Sequence, residues 1–315
     1  MASTNSSEAP DDGVKVTRLT DRSGPRPPWA IAVFAHNEGG RIRAALQSIV
    51  PAAGGRDVEV VVLANGCADS TCDEVRGSAN LLADLTHVEI DTADKANAWN
   101  VFVHDVITPE RAAEIETYFF MDADVTLEPR ALNLLAAALH EHPSANAAGA
   151  MPATGRNRDL WRTRMVRNGT LAGNLYALRS TFVDELRNHH VRMPVGLIGE
   201  DLFLSWLVAN LGARPRQDEG PRCIFCPNAE FSFRSLSPLR ADDVRRYVRR
   251  KWRYTYRALQ IEMLMHVLRK DGIAAMPPDV HELYATAPLP SRLKWVGLDS
   301  PMRLWAVLQI RAHRK

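Results

Sequence analysis

The chain has 315 residues, 46% of them hydrophobic and 24% charged, which is enough to bury one large core or two small ones. Its 39 basic and 37 acidic residues give a formal net charge of +2, which argues against a nucleic-acid-binding protein. No apolar run reaches the roughly 18 residues that a membrane span needs, and the first residues do not resemble a secretory signal. The pair Cys223 and Cys226 lacks the partners of a zinc site, so we interpret both as ordinary thiols. We therefore expect a cytoplasmic protein.

Residues 1–28 are rich in Ser, Asp, Pro and Gly, which predicts a flexible N-terminal arm. From Trp29 to about Met151, short apolar segments alternate with amphipathic ones. We predict strands at Trp29–Ala35, Val58–Ala64, His87–Ile90, Thr117–Met121 and Asn146–Met151, and helices at Glu38–Ile49, Asp69–Ala79, Ala93–Val106 and Glu128–Leu139. This alternation is typical of an α/β fold with a mostly parallel central sheet and helices on both faces.

The second half of the chain is less regular. We predict strands at Leu175–Leu178 and Arg222–Phe233, and helices at Arg179–Leu186, Asp201–Leu211 and Ala241–Lys270. The expected organisation is a flexible arm (1–28), an α/β domain (29–235, with two halves that meet near 151) and a mainly helical C-terminal region (236–315).

Polar residues follow four of the predicted strands directly. They are Glu38 in AHNEGG, Asn65 in NGCADST, Lys95 in ADKANAWN, and the pair Asp122 and Asp124 in MDADV. Each cluster alone could cap a helix or start a turn. Ligands of parallel sheets bind outside the carboxyl ends of the strands, so the recurrence favours a binding site.

Asp122 and Asp124 are the most informative pair. Residues two apart in an extended segment point the same way, so the two carboxylates should face one ligand. Hard oxygen donors of this kind suit Mg²⁺ or Mn²⁺ shared with substrate phosphates. We therefore predict a divalent metal here.

A second acidic pair, Glu200 and Asp201, opens a predicted helix after a loop that contains Pro194 and Gly196. Acidic residues stabilise helix N-termini, which is one interpretation. The other is a general base, because an ionised aspartate can accept a proton from an attacking hydroxyl.

The order of these motifs resembles family 2 glycosyltransferases of the GT-A fold. The matching segments are FAHNE (Phe34–Glu38), ANGCAD (Ala64–Asp69), DKANAWN (Asp94–Asn100), the Asp122–Asp124 triplet, GNLYALRS (Gly173–Ser180) and the Glu200–Asp201 pair. Together they span about Trp29 to Trp252. The resemblance implies an inverting transfer of a sugar from a nucleotide diphosphate donor to an acceptor hydroxyl.

The resemblance also implies residue roles. Glu38 and Asn65 would contact the base and ribose, and Lys95 would hold the nucleotide or its phosphates. Asp124 would bind Mg²⁺ or Mn²⁺, with Asp122 on the metal or the ribose. The catalytic base would be Asp201, supported by Glu200, and Arg249 and Arg250 could reach the diphosphate.

Three positions depart from the family pattern. Ala64 replaces an aspartate, Asp94 replaces a glycine, and VRRKW (Val248–Trp252) lacks the glutamine of a segment linked to processive synthesis. The last departure favours transfer of a single sugar. Two alternatives stay open, a sugar nucleotidyltransferase on a related fold and a binding protein without activity.

The segment Arg240–Arg257 carries eight Lys or Arg residues and two acidic ones, Asp242 and Asp243. Apolar residues recur through it at helical spacing, which predicts an amphipathic basic helix. It could be an ordinary solvated surface, or could bind a membrane or the donor phosphates. The acceptor (small molecule, glycan or lipid) and the oligomeric state stay open.

Overall fold

A computed structural model describes residues 13–20, 22, 24–211, 220–235, 239–289 and 300–314. Its architecture is a central nine-stranded sheet covered by helices, with further helices at the C-terminal end. No helix among these residues is long and apolar enough to cross a bilayer.

The sheet has the strand order β1-β4-β3-β2-β5-β8-β7-β9-β6. In chain order the strands are β1 (Val14–Arg18), β2 (Trp29–Ala35), β3 (Glu59–Asn65), β4 (Leu85–Ile90), β5 (Thr117–Asp122), β6 (Val125–Leu127), β7 (Ala147–Pro152), β8 (Leu175–Arg179) and β9 (Cys223–Phe233). Strands β4, β3, β2 and β5 are parallel neighbours. Their carboxyl ends therefore share one sheet edge.

The rest of the sheet is mixed. The pairs β1–β4, β5–β8, β7–β8 and β6–β9 are antiparallel, and β7–β9 is parallel. The predicted parallel arrangement thus holds for the first half of the α/β domain. The second half reverses direction at β8.

The helices are α1 (Ile42–Ala53), α2 (Thr71–Arg76), α3 (Lys95–Asn100), α4 (Pro109–Ala112), α5 (Ala131–Glu141), α6 (Arg158–Asn168), α7 (Ser180–Asn188), α8 (Glu200–Asn210), α9 (Ala241–Asp271), α10 (Val280–Thr286) and α11 (Ser300–Ala312). A π-helical turn, Val101–Val106, continues α3. The predicted helix over Ala93–Val106 is therefore two segments of different winding.

The strands bury both faces. Along β2, Ala30, Ala32 and Phe34 contribute to one core cluster, and the alternate residues contribute to the other. Alternation of this kind follows from the two-residue period of a strand. A fully apolar strand such as WAIAVFA is the expected sequence for a sheet covered on both faces.

The C-terminal helices are part of the same core. Leu259 and Met263 of α9, Leu283 of α10 and Ile310 of α11 are buried in the cluster that covers one face of the sheet. Burial of each such side chain contributes about 1.5–3 kcal/mol. The region after 236 is therefore packed onto the α/β domain, and we propose that the two parts fold together.

The structure corrects the expected arm. Val14–Arg18 forms the edge strand β1, paired with β4, where the composition led us to expect no ordered structure. Its side chains are mostly exposed, so it lacks the buried apolar pattern by which the other strands were predicted. Residues 1–12 lie outside the described part of the chain.

Cys223 and Cys226 lie on β9 and pack against opposite core clusters, and both are free thiols. Burial raises the pKa of Cys223 to about 12 and that of Cys226 to about 11. Side chains on opposite faces of a sheet cannot share one metal ion, which agrees with the interpretation as ordinary thiols.

Candidate active site

The predicted site residues meet around the first residue of α3. Lys95 Nζ lies 2.5 Å from Asp122 Oδ1 and 2.8 Å from Glu200 Oε1, and it donates a hydrogen bond to Gly173 O at 3.3 Å. One ammonium group therefore joins two acidic motifs that are far apart in the sequence. We call this region, at the carboxyl ends of β2, β3 and β5, the strand-end cleft.

Both flanking carboxylates keep the pKa of Lys95 well above its usual value, despite burial. The backbone of Gly173 closes over the ammonium group. A Cβ there would lie 3.0 Å from Lys95 Nζ and 3.3 Å from Glu200 Oε1. A side chain at this position would therefore press directly on the ion pairs.

Asp122 and Asp124 emerge together at the end of β5. Both are partly exposed, and Ala123 between them is buried, as the two-residue period predicts. Burial raises the pKa of Asp122 to about 7, with Lys95 opposing and Asp124 adding to the rise. The two carboxylates therefore share one region of negative potential.

The charge of Asp124 also reaches Glu38, in the loop after β2. Burial raises the pKa of Glu38, Arg41 opposes the rise and Asp124 adds to it. Arg41 Nη1 holds Glu38 Oε2 at 2.7 Å. Glu38 and Asp124 therefore act on each other through their charges, and the contact of Glu38 with the donor stays a prediction.

Asp69 fixes the loops that follow β2 and β3. Its carboxylate accepts hydrogen bonds from Gly39 N at 3.0 Å and Thr71 N at 2.9 Å. Thr71 Oγ1 in turn accepts one from Glu38 N at 2.8 Å. Asp69 thus holds the Glu38 loop in place, which is a turn role that its residue type favours.

Asn65 lies deeper than its predicted role requires. It is 4% exposed, and its Nδ2 donates to Ala35 O at 3.0 Å. Its own carbonyl oxygen lies 2.7 Å from His36 Nδ1. Asn65 therefore joins the ends of β2 and β3, and its contact with a nucleotide stays a prediction.

Glu200 and Asp201 begin α8 directly after Gly199, whose φ of 95° few other residues adopt without strain. Asp201 Oδ2 accepts from Gly173 N at 3.3 Å, and Oδ1 lies 3.1 Å from Arg257 Nη2. Burial and the Glu200 carboxylate raise the pKa of Asp201, while Arg257 opposes the rise. Lys95 holds the pKa of Glu200 below its usual value, against burial. The surroundings therefore raise the proton affinity of Asp201 and lower that of Glu200.

The loop before Glu200 is held at several points. Asp94 Oδ2 accepts from Gly196 N at 3.1 Å. Gln260 of α9 accepts from Ile198 N at 2.7 Å, and its Nε2 donates to Gly196 O at 3.2 Å and Tyr284 Oη at 2.7 Å. The C-terminal helices thus position the loop that carries the candidate base. No motif or periodicity around Gln260 predicts this role.

Helix α9 also places arginines over the strand-end cleft. Burial raises the pKa of Glu38 and of Asp94, and the charges of Arg246 and Arg253, respectively, oppose these rises. Arg257 pairs with Asp201. Arg250 shares this helix face, since positions i, i+4, i+7 and i+11 align. We call these four residues, Arg246, Arg250, Arg253 and Arg257, the arginine row.

Of the two arginines that the sequence singled out, Arg250 is thus on the row. Arg249 borders this helix face and also lines a groove between α9 and α11. Contact of either arginine with the diphosphate stays a prediction, and the sequence analysis did not single out Arg246, Arg253 and Arg257. Their spacing on one face of the predicted helix was the available signal.

The described side chains supply only part of a coordination shell for a metal ion. Among the described residues, no group of three or more His, Cys, Asp or Glu side chains is placed to hold a metal ion. Two adjacent carboxylates still suit Mg²⁺ or Mn²⁺, because these ions retain waters and share substrate phosphates. Asp124 raises the pKa of both Glu38 and Asp122, which shows that a cation would relieve charge repulsion. The residues therefore fit the ion.

The sheet edge combines paired aspartates, a lysine at a helix start and an acidic pair at the start of another helix, which are the motifs by which the sequence resembles family 2 glycosyltransferases of the GT-A fold. A family model, Glycosyl transferase family 2, matches residues 30–193. The chain belongs to this family and is a glycosyltransferase.

Solved structures agree on the fold. A mannosyltransferase from Pyrobaculum calidifontis, in complex with GDP-Man and Mn²⁺, is 20% identical with a TM-score of 0.55, over 92% of this chain and 74% of that one. S. aureus TarS, in complex with UDP-GlcNAc, is 15% identical with a TM-score of 0.52, over 91% of this chain and 81% of that one. A comparison with curated proteins gave no match.

Proposed function

We propose that the protein is an inverting, metal-dependent glycosyltransferase that moves a sugar from a nucleotide diphosphate donor to an acceptor hydroxyl. One observation carries the proposal. The ammonium group of Lys95 contacts Asp122 on one side and Glu200 on the other, so the predicted metal motif and the predicted base motif face the same cleft. The two similar structures bind a nucleotide diphosphate sugar, which supports a donor of this class.

Asp124 and Asp122 are the residues that would hold Mg²⁺ or Mn²⁺. When bound, the ion would neutralise charge on the leaving diphosphate. Glu38 and Asn65 would contact the nucleoside end of the donor. Lys95 and the arginine row would supply positive charge around the phosphates, where desolvated cations stabilise developing negative charge.

Asp201 is the proposed general base, with Glu200 positioning Lys95. The acceptor hydroxyl gives its proton to the Asp201 carboxylate while its oxygen attacks the anomeric carbon. The bond from that carbon to the phosphate oxygen breaks, and the nucleoside diphosphate leaves with the electron pair. A single displacement of this kind inverts the anomeric configuration. The raised pKa of Asp201 makes it a better proton acceptor than an ordinary aspartate.

The first test is a thermal-shift panel of nucleoside diphosphates, each with and without Mn²⁺. We expect one nucleotide to raise the melting temperature in a metal-dependent manner. Asp124→Ala should abolish the metal-dependent part of this rise. Asp159→Ala, which removes a carboxylate on α6 that is 85% exposed, is the matched control and should leave the rise intact. If every nucleotide raises the melting temperature equally with and without Mn²⁺, the metal assignment is refuted.

The second test separates transfer from binding. Asp201→Asn keeps the side-chain size, so donor affinity should stay the same while turnover falls roughly 100- to 10,000-fold. Release of nucleoside diphosphate from the donor measures turnover even without a known acceptor. Full activity of this variant would remove the base assignment. Release of pyrophosphate from a nucleoside triphosphate would instead favour a nucleotidyltransferase, and donor binding without any turnover would favour an inactive relative.

A further inference from the structure

An apolar groove with a basic rim lies between α9 and α11, outside the strand-end cleft. Its volume is about 470 Å³, and it is lined by Val244, Arg245, Val248, Arg249, Trp252, Trp305 and Gln309. None of these described lining residues is acidic. We call this surface the α9–α11 patch.

The apolar side chains of the patch are exposed to solvent to an unusual extent. Trp305 is 57% exposed, Val248 51% and Val244 44%. Trp305 packs against Trp252 with ring centroids 4.6 Å apart, which fixes it in this exposed position. Contiguous exposed apolar surface of this kind marks an interaction site.

The outward face of α11 extends the patch. Leu304 and Leu308 flank Trp305 at helical spacing and are 48% and 49% exposed. The opposite face of the helix, with Ala306, Val307 and Ile310, is buried in the core. Helix α11 thus has apolar residues on two faces, and only one of these faces is covered by the described residues.

The combination of side chains identifies the partner. Exposed tryptophan and leucine side chains bordered by arginines complement a surface that is negatively charged on the outside and apolar immediately beneath. A leaflet of anionic phospholipid offers both layers, and arginine stems can cover the boundary between them. We propose that the α9–α11 patch docks the protein on an anionic membrane surface.

Docking would have a consequence for the cleft. Helix α9 carries the patch on one face and the arginine row on another, and Arg257 of that row contacts Asp201. A membrane bound at the patch would therefore lie along the same helix that borders the candidate base. This consequence rests on the proposed function, whereas the docking itself does not.

Co-sedimentation of the full chain with vesicles tests the docking without donor or turnover. We expect binding to vesicles of phosphatidylcholine mixed with phosphatidylglycerol, none to phosphatidylcholine alone, and weaker binding at high salt. Arg245→Gln and Arg249→Gln should each lower the partition ratio roughly fivefold. Trp305→Ser and Leu308→Ser, made separately because Trp305 touches Trp252, should each lower it as well.

Helix α6 offers matched controls, since Arg164, Arg167 and Leu160 are also exposed. Arg164→Gln, Arg167→Gln and Leu160→Ser should leave vesicle binding unchanged. Equal losses from the α6 variants, equal binding to neutral vesicles, or no binding at all would overturn the proposal. Light scattering gives a further check. A dimer mass for the wild type and a monomer mass for Trp305→Ser would also overturn the proposal, because the patch would then join two copies of the chain.

Discussion

Replacing Gln260 by leucine should loosen the loop that carries the candidate base. Gln260 is 2% exposed and makes three hydrogen bonds, to Ile198 N, Gly196 O and Tyr284 Oη. Leucine has nearly the same volume, so the main cost is the loss of partners for these groups. At about 1 kcal/mol for each bond, the free energy of unfolding should fall by about 3 kcal/mol.

Urea unfolding measures this loss, and two further variants calibrate it. Tyr284→Phe removes only one of the three bonds and should cost about 1 kcal/mol. Gln47→Leu changes an exposed glutamine on α1 and should stay within about 0.5 kcal/mol of the wild type. The loop positions Glu200 and Asp201, so Gln260→Leu should also lower turnover more than Tyr284→Phe does. A cost no larger than that of Tyr284→Phe would refute the proposed role of Gln260.

Three further predictions concern the cleft and the core. Gly173→Ala should lower turnover at least about tenfold in steady-state assays with little loss of stability, because its Cβ would lie 3.0 Å from Lys95 Nζ. In Lys95→Met, the pKa values of Asp122 and Glu200 should rise, because Lys95 lowers both. The melting temperature of that variant should therefore rise more steeply than that of the wild type as pH falls from 8 to about 6. Burial lowers the pKa of His104 from 6.5 to about 4, so the unfolded chain takes up this proton first. The free energy of unfolding should therefore fall by on the order of 2 kcal/mol as pH falls from about 6.5 to about 4. In urea titrations at each pH, His104→Gln should remove this part of the fall.

The first half of the sheet could be predicted because its strands are buried on both faces. Segments such as WAIAVFA and EVVVLAN carry a continuous apolar signal, and each is followed by a polar cluster. Strand β1 was missed because its exposed edge position needs no such pattern. Strand β6 was missed because its three residues, Val125–Leu127, are too few to show any period.

The site was predictable only where its residues follow a strand or open a helix. Asp122, Asp124 and Lys95 satisfy that rule, and the structure places them together. Gln260 and Arg257 lie on α9, more than fifty positions after the residues they contact, Ile198 and Asp201. Contacts of this kind depend on tertiary packing, which neither periodicity nor motif spacing encodes.

The charges of the cleft explain why the C-terminal helices belong to the site. Glu38, Asp122, Asp124, Glu200 and Asp201 place five carboxylates in one region, and the α/β domain supplies Lys95 and Arg41 against them. Burial raises the pKa of Glu38, Asp122 and Asp201, so each of these carboxylates is harder to ionise than in water. Helix α9 adds two cations that oppose the rise, since the charge of Arg246 acts on Glu38 and Arg257 lies 3.1 Å from Asp201. The helix therefore favours the ionised form of the candidate base, which is the form that accepts a proton from the acceptor hydroxyl.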